Sequence, residues 1–173
     1  KMNRFTIFFL LVIFLNTHSL PQSIHKYSDI FFLDNHNGWI LSDNGYLWKT
    51  TNAGIDWISI YDSRIDTSGK ITFVDEQNGW MLLNTTLYFS SDAGESWIFN
   101  YEFPQFSGSY EIAFINDSVG FVANAYNLYR TNNAGNGWIP LTDTLGSISD
   151  ISWYDKNLIF ISASKGLEYL YKS

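Results

Sequence analysis

The sequence predicts an all-β fold: a β-propeller of four-stranded blades of about 40 residues, here about three and a half blades, a partial propeller. Three observations predict it. A short phrase recurs as KTTNAGIDW from Lys49, FSSDAGESW from Phe89 and RTNNAGNGW from Arg130, with Gly54, Gly94 and Gly135 spaced 40 and 41 residues apart. A second marker, NGW at Asn37, NGW at Asn78 and VGF at Val119, sets Gly38, Gly79 and Gly120 at intervals of 41. No stretch beyond the N-terminal segment sustains a helical period.

Residues 1–19 read as a signal peptide. MNRFTIFFLLVIFLNTHS has one basic residue, Arg4, an apolar run from Phe5 to Leu15, and small polar residues after it. The run is shorter than the roughly 20 residues that span a bilayer, so cleavage near Thr17–Ser19 and export are expected, to the periplasm, the extracellular space or the cell surface. A membrane contact is expected only through an uncleaved signal. Lys1 precedes Met2, which reads as the initiator.

Residues 20–28 read as a linker, and the repeats follow: blade 1 over 29–69, blade 2 over 70–109, blade 3 over 110–147, and an incomplete blade 4 over 148–173. In the first unit, Ile30–Leu33 is a short apolar run, as in a strand buried on both faces. Trp39–Ser42 is the second strand. SDNG at Ser42–Gly45 is a turn, because Asn-Gly accepts positive φ. Tyr46–Thr51 is the third strand, NAG the next turn, and Trp57–Tyr61 the fourth strand. The same marks recur as DIFFLD, KITFVD and EIAFIN from Asp29, Lys70 and Glu111, and again as DISWYD from Asp150. YLYKS at Tyr169–Ser173 matches YLWKT at Tyr46–Thr50, so the chain is expected to stop inside its last repeat. An open arrangement would leave Ile30–Leu33 and Leu170–Ser173 as exposed edge strands prone to pairing with other chains.

The phrase itself is [Ser/Thr]-x-[Asp/Asn]-x-Gly-x-x-Trp: Thr50, Asn52, Gly54 and Trp57; Ser90, Asp92, Gly94 and Trp97; Thr131, Asn133, Gly135 and Trp138. A hairpin turn leaves backbone N–H groups without ladder partners, and a hydroxyl with a short carboxylate or amide accepts from them. Glycine supplies the positive φ of the reversal, and the indole covers the turn. These residues resemble the Asp-box, the bacterial neuraminidase repeat of sialidases, sortilin-type receptors, some glucan hydrolases and the photosystem II stability/assembly factor family. FFLDNHNGWILSDNGYLWKTTNAGIDW is most similar to the last of these, and the resemblance covers about Asp29 to Ser173. It implies that the box is a structural turn away from the ligand face. Asn52 and Asn133 depart from the Asp of the pattern, and looser turns are expected there because the acceptor is uncharged.

Bulk composition excludes some classes. The chain has 173 residues, is 46% hydrophobic and 18% aromatic, and carries a formal charge of −7. That balance argues against nucleic acid, which needs a dense basic patch. There is no cysteine, so packing and strand pairing must hold the fold. No cofactor and no metal are expected. The histidines are His18, His25 and His36, too scattered for zinc. Asp92 and Glu95 hint at calcium, but two of the three boxes have no carboxylate at the box position.

Catalysis is not expected from this chain. By the resemblance, a sialidase would need three arginines on its substrate carboxylate, and only Arg64 and Arg130 follow the signal. Acidic glycoside hydrolysis needs two placed carboxylates, and Asp43, Asp62, Asp66 and Glu102 stand in no distinctive motif. The expected function is an exported, non-catalytic binding module of assembly-factor type with a protein partner. The alternative left open is a glycan-binding or sialidase-like glycoside hydrolase propeller whose catalytic residues lie outside this chain. Candidate binding loops run from a fourth strand to the next first strand and from second to third strands. They contribute Tyr101, Phe103, Phe106 and Tyr110 from YEFPQFSGSY, and Asp43, Asn84, Asn124 and Tyr126. Exposed aromatics there would be partner anchors; the same rings could instead pack between blades.

Overall fold

The computed structural model describes residues 26–62, 67–104, 110–124, 127–141, 148–155, 158–163 and 166–171. Fifteen strands and no helix occur among them. They form four sheets in which every neighbouring pair is antiparallel and sequence order is spatial order.

The first sheet is β1 (Tyr27–Phe32), β2 (Gly38–Ser42), β3 (Tyr46–Thr50) and β4 (Ile58–Asp62). The second is β5 (Gly69–Phe73), β6 (Gly79–Leu83), β7 (Thr86–Ser90) and β8 (Ile98–Glu102). The third is β9 (Glu111–Phe114), β10 (Gly120–Ala123), β11 (Leu128–Thr131) and β12 (Ile139–Leu141). The fourth is three-stranded: β13 (Ile148–Asp155), β14 (Leu158–Ala163) and β15 (Gly166–Tyr171). The strands β1, β5, β9 and β13 run beside one another in that order, so they line a common axis and β4, β8 and β12 face outward. This is the blade arrangement of a partial β-propeller.

Apolar side chains from facing sheets fill each gap. Phe31, Trp39, Leu41 and Leu47 of the first blade meet Ile71, Phe73, Met81 and Leu83 of the second. Trp80, Leu82 and Leu87 meet Ile112, Phe114 and Val122 in the next gap, and Phe121 and Leu128 meet Ile148, Ile151 and Ile161 in the last. The Gly-Trp marker has its reason here. Trp39 stacks on Phe73 of the following blade at 3.8 Å between ring centroids, and Trp80 on Phe114 at 3.7 Å. On its other side Phe73 lies so close to Gly79 that an added Cβ would sit 2.4 Å from the ring. The indole N–H of Trp39 donates to the Ala93 carbonyl at 2.9 Å, and that of Trp80 to the Ala134 carbonyl at 3.2 Å. The first two seams are thus each a glycine–phenylalanine–tryptophan sandwich closed by one indole hydrogen bond to the next blade; in the third, Phe121 stands in the tryptophan position.

Three sequence expectations need correction. The linker assigned to 20–28 ends earlier, because β1 begins at Tyr27, whose backbone pairs opposite Ser42. The fourth strand of blade 1 begins at Ile58, since Trp57 belongs to the turn and packs edge-on to Phe32 at 5.9 Å. Ile30–Leu33 is not an exposed edge: Phe31 is buried and its neighbours are half-buried, because the innermost strand packs against the adjoining blade. Of the other expected edge, Lys172 and Ser173 lie outside the described residues.

Candidate functional site

Antiparallel order gives the molecule two ends. The turns β1–β2 and β3–β4 share one, and the β2–β3 turns with the β4–β5 connection share the other.

The recurring phrase builds the first end. In the second copy the Ser90 hydroxyl donates to Asp92 Oδ1 at 2.8 Å and accepts from the Gly94 N–H at 2.9 Å. Asp92 Oδ1 also accepts the Ser96 N–H at 2.9 Å. Thr50 does the same for Asn52 and Gly54, and Thr131 for Asn133 and Gly135. Asn52 accepts the Asp56 N–H at 2.9 Å and Asn133 the Gly137 N–H at 3.0 Å. The expected loosening at the two asparagines is therefore absent from the geometry. Asn52 adds a bond of its own, from its amide to the Asp56 carboxylate at 3.0 Å. Trp97 and Trp138 close their turns by donating to the carbonyls of Gly94 and Gly135, both at 3.0 Å.

One feature of these turns lay beyond the sequence pattern. Ala53, Ala93 and Ala134 hold φ of 63°, 66° and 60°, in the left-handed region, just before the positive-φ glycines. Backbone bonds fix them there: their N–H groups donate to the carbonyls of His36, Gln77 and Ser118 in the neighbouring β1–β2-type turn. Those turns are themselves capped by side chains that sequence reasoning passed over. Asp34 Oδ1 accepts the N–H groups of His36 and Asn37, Asp75 those of Gln77 and Asn78, and Asn116 those of Ser118 and Val119. The Asn37 side-chain and backbone N–H groups hold Asp34 down to a pKa of about 2. Burial opposes ionisation of Asp75, but the bonds from Asn78 and Gln77 outweigh it, and its pKa is lowered. The side-chain bond from Ser96 leads in lowering Asp92.

The second end holds the candidate binding loops. Asn84 is exposed at a φ of 52° in the β6–β7 turn and accepts from the Thr67 hydroxyl at 2.6 Å. Asp43 is half-buried, with its N–H donating to the Lys26 carbonyl at 2.8 Å. Asn124 is buried and accepts the Asn127 N–H at 3.0 Å, so it closes its turn instead of facing a partner. Glu102 is held by the Thr85 and Thr86 hydroxyls, which makes it a brace for that turn. Phe103 corrects the sequence expectation. It is 2% exposed, in the gap between the second and third blades, 5.4 Å from the Tyr129 ring and 5.1 Å from Trp138. Tyr101 and Tyr110 pack half-buried against the same cluster. These rings fill a seam between blades, which the local sequence could not reveal. Phe106 and Tyr126 lie outside the described residues, as do Arg64 and Asp66. Arg130 occupies in β11 the position of Lys49 and Phe89, in register with Phe121 and Ile139.

Sequence reasoning also missed a set of charges at this end of the axis. Lys70 Nζ lies 2.8 Å from Glu111 Oε1 across the second seam, and Asp29 Oδ2 accepts the Ile71 N–H at 2.9 Å across the first. Burial pushes the Glu111 pKa up; Lys70 opposes this, while Asp29 and Asp150 add to it.

The blades and their capped turns define an Asp-box β-propeller. The chain belongs to the family described as photosynthesis system II assembly factor YCF48, whose pattern matches residues 15–171. It is similar to the structure of YCF48 bound to D1 peptide, with 22% identity and a TM-score of 0.65 over 83% of this chain and 50% of that one. YCF48 from Cyanidioschyzon merolae matches at 16% identity and a TM-score of 0.63, covering 90% of this chain and 59% of that one. An ancestral GH74 enzyme shares the fold at 13% identity and a TM-score of 0.63, over 83% of this chain and 22% of the enzyme. The chain thus spans little more than half the length of the YCF48 structures it matches. A comparison with curated proteins returns no match.

Proposed function

We propose that this chain is a non-catalytic binding module that captures a peptide segment of a protein partner at the loop end of its propeller, in the manner of an assembly factor. The carrying observation is membership of the YCF48 assembly-factor family over residues 15–171, one structure of which is described as bound to D1 peptide. At the loop end Asn84 stands exposed in the β6–β7 turn. Export through residues 1–19 is part of the same proposal, and an N-terminal fusion to an export-dependent reporter enzyme tests it.

Fluorescence anisotropy with a labelled D1 peptide tests the binding. Saturable binding to the full chain is expected, weakened by Asn84→Arg at the exposed turn and unaffected by Glu95→Gln at the box end. No binding, or equal loss from both variants, overturns the reading. Hydrolysis of a sialoside or a glucan by the chain would overturn its non-catalytic part.

A further inference from the structure

Each innermost strand carries a charge within its first three residues: Asp29, Lys70, Glu111 and Asp150. Register sets them at one level. Asp29 pairs opposite Leu41, Lys70 opposite Leu82, Glu111 opposite Ala123 and Asp150 opposite Ser162, each where the second strand approaches the loop end. All four are half-buried. The register places them at the mouth of the axis, where Lys70 and Glu111 are in contact at 2.8 Å. Three carboxylates and one ammonium stand at this level, and the ammonium contacts Glu111.

A second observation lies one step deeper. Thr72 follows Lys70 by two residues on β5, so its side chain leaves the strand on the same face. It therefore lies one step along β5 from Lys70, on the face that carries Val74 into the second seam. Thr72 is fully buried, and its hydroxyl has no hydrogen-bond partner among the described residues. Buried hydroxyls are normally bonded. An acceptor of this kind one step from an excess of negative charge fits a hydrogen-bond donor that carries positive charge. Among the described residues no three His, Cys, Asp or Glu side chains come together as metal ligands, which favours an organic cation over a metal ion.

We propose that Glu111, Asp150 and Thr72, with Lys70 and Asp29 around them, form a socket at the loop-end mouth of the axis for one lysine ammonium or arginine guanidinium presented by a peptide. The inference rests on the peptide-binding reading above and names the chemistry of its ligand. The cation displaces Lys70 from part of its contact with Glu111 and donates to Thr72, so a neutral or anionic side chain gains nothing there.

The test is amide chemical-shift titration of the isotope-labelled full chain with Ac-Gly-Gly-Lys-Gly-Gly-amide, with the same peptide carrying glutamine for lysine, and with n-butylammonium. The lysine peptide is expected to shift Ile71, Thr72 and Ile112, and the glutamine peptide to leave them in place. Equal shifts from both overturn the proposal. The double variant Glu111→Gln, Asp150→Asn should abolish the shifts while the Gly54, Gly94 and Gly135 amides keep their positions. Should that variant unfold, Lys70→Met decides: it removes the competing ammonium and is expected to tighten binding several-fold, whereas unchanged or weaker binding overturns the socket. Binding of n-butylammonium about tenfold weaker than the peptide supports a peptide-borne cation, and equal binding overturns that source. A chain that captures D1 peptide but ignores the lysine peptide sinks this inference alone. A chain that ignores D1 peptide but answers to the lysine peptide sinks the D1-type reading and keeps the socket.

Discussion

At the scale of single residues, the box divides its labour between a hydroxyl and a carbonyl-type oxygen. Ser90 is 1% exposed and satisfies the Gly94 N–H. Ser90→Ala leaves that donor buried and unpaired, at a cost of about 1–3 kcal/mol, measurable by urea unfolding. Asp92→Asn should cost less than about 1 kcal/mol at neutral pH, because Asn52 and Asn133 already make the equivalent bond at 2.9 and 3.0 Å. A larger loss would show that the carboxylate charge matters in itself. Gly79→Ala is the severe change. Its Cβ would meet the Phe73 ring at 2.4 Å, and that ring is pinned by Trp39. Overpacking of this kind costs about 1–3 kcal/mol, read as a fall in Tm. The hydroxyl, glycine and tryptophan of the box were legible in the sequence because they act within one turn. The left-handed alanines were not, since the bonds that hold them come from a turn sixteen or seventeen residues earlier.

At the scale of elements, the capped turns of the first two blades titrate in the same direction. Asp34, Asp75 and Asp92 have folded pKa values below their ordinary one near 3.8. Groups depressed in this way contribute stability that is fully present above the unfolded value and is lost as pH falls through the folded value. The melting temperature should therefore decline as pH drops from about 4 towards about 2, where Asp34 titrates. Asp34→Asn with Asp75→Asn should flatten that acid limb, and an unchanged slope would remove the turns from the account. Glu111 has the opposite sign. Its raised value means that its contribution is present below the unfolded 4.5 and fades as pH rises through the folded value. The strands themselves were readable from period and turn chemistry. Phe103 was not, because whether a ring after an outer strand faces water or the next blade is decided by Tyr129 and Trp138, more than twenty residues away.

At the scale of the whole molecule, the described blades pack in sequence, first on second, second on third and third on fourth, so stability is a sum of blades and seams. Trp80→Phe keeps an aromatic ring on Phe114 but removes the bond to Ala134. It should cost about 1–3 kcal/mol and lower hydrogen-exchange protection first in β9–β12, with β1–β4 less affected; uniform loss would mean that the blades unfold as one unit. Phe121 already stands at the equivalent place in the third blade, where no indole can donate. The period of 41 residues made the blade order predictable, whereas the axial charges were hidden by it: Asp29, Lys70, Glu111 and Asp150 differ in sign and look like unrelated surface residues until the axis gathers them. The aromatic sandwich has a further consequence. Its two halves come from consecutive copies of one unit, so a duplicated unit would find a fitting neighbour on either flank. Lineages of such chains can lengthen or shorten by whole copies without inventing a new contact, and the count of blades is free to drift while the joint between them is not.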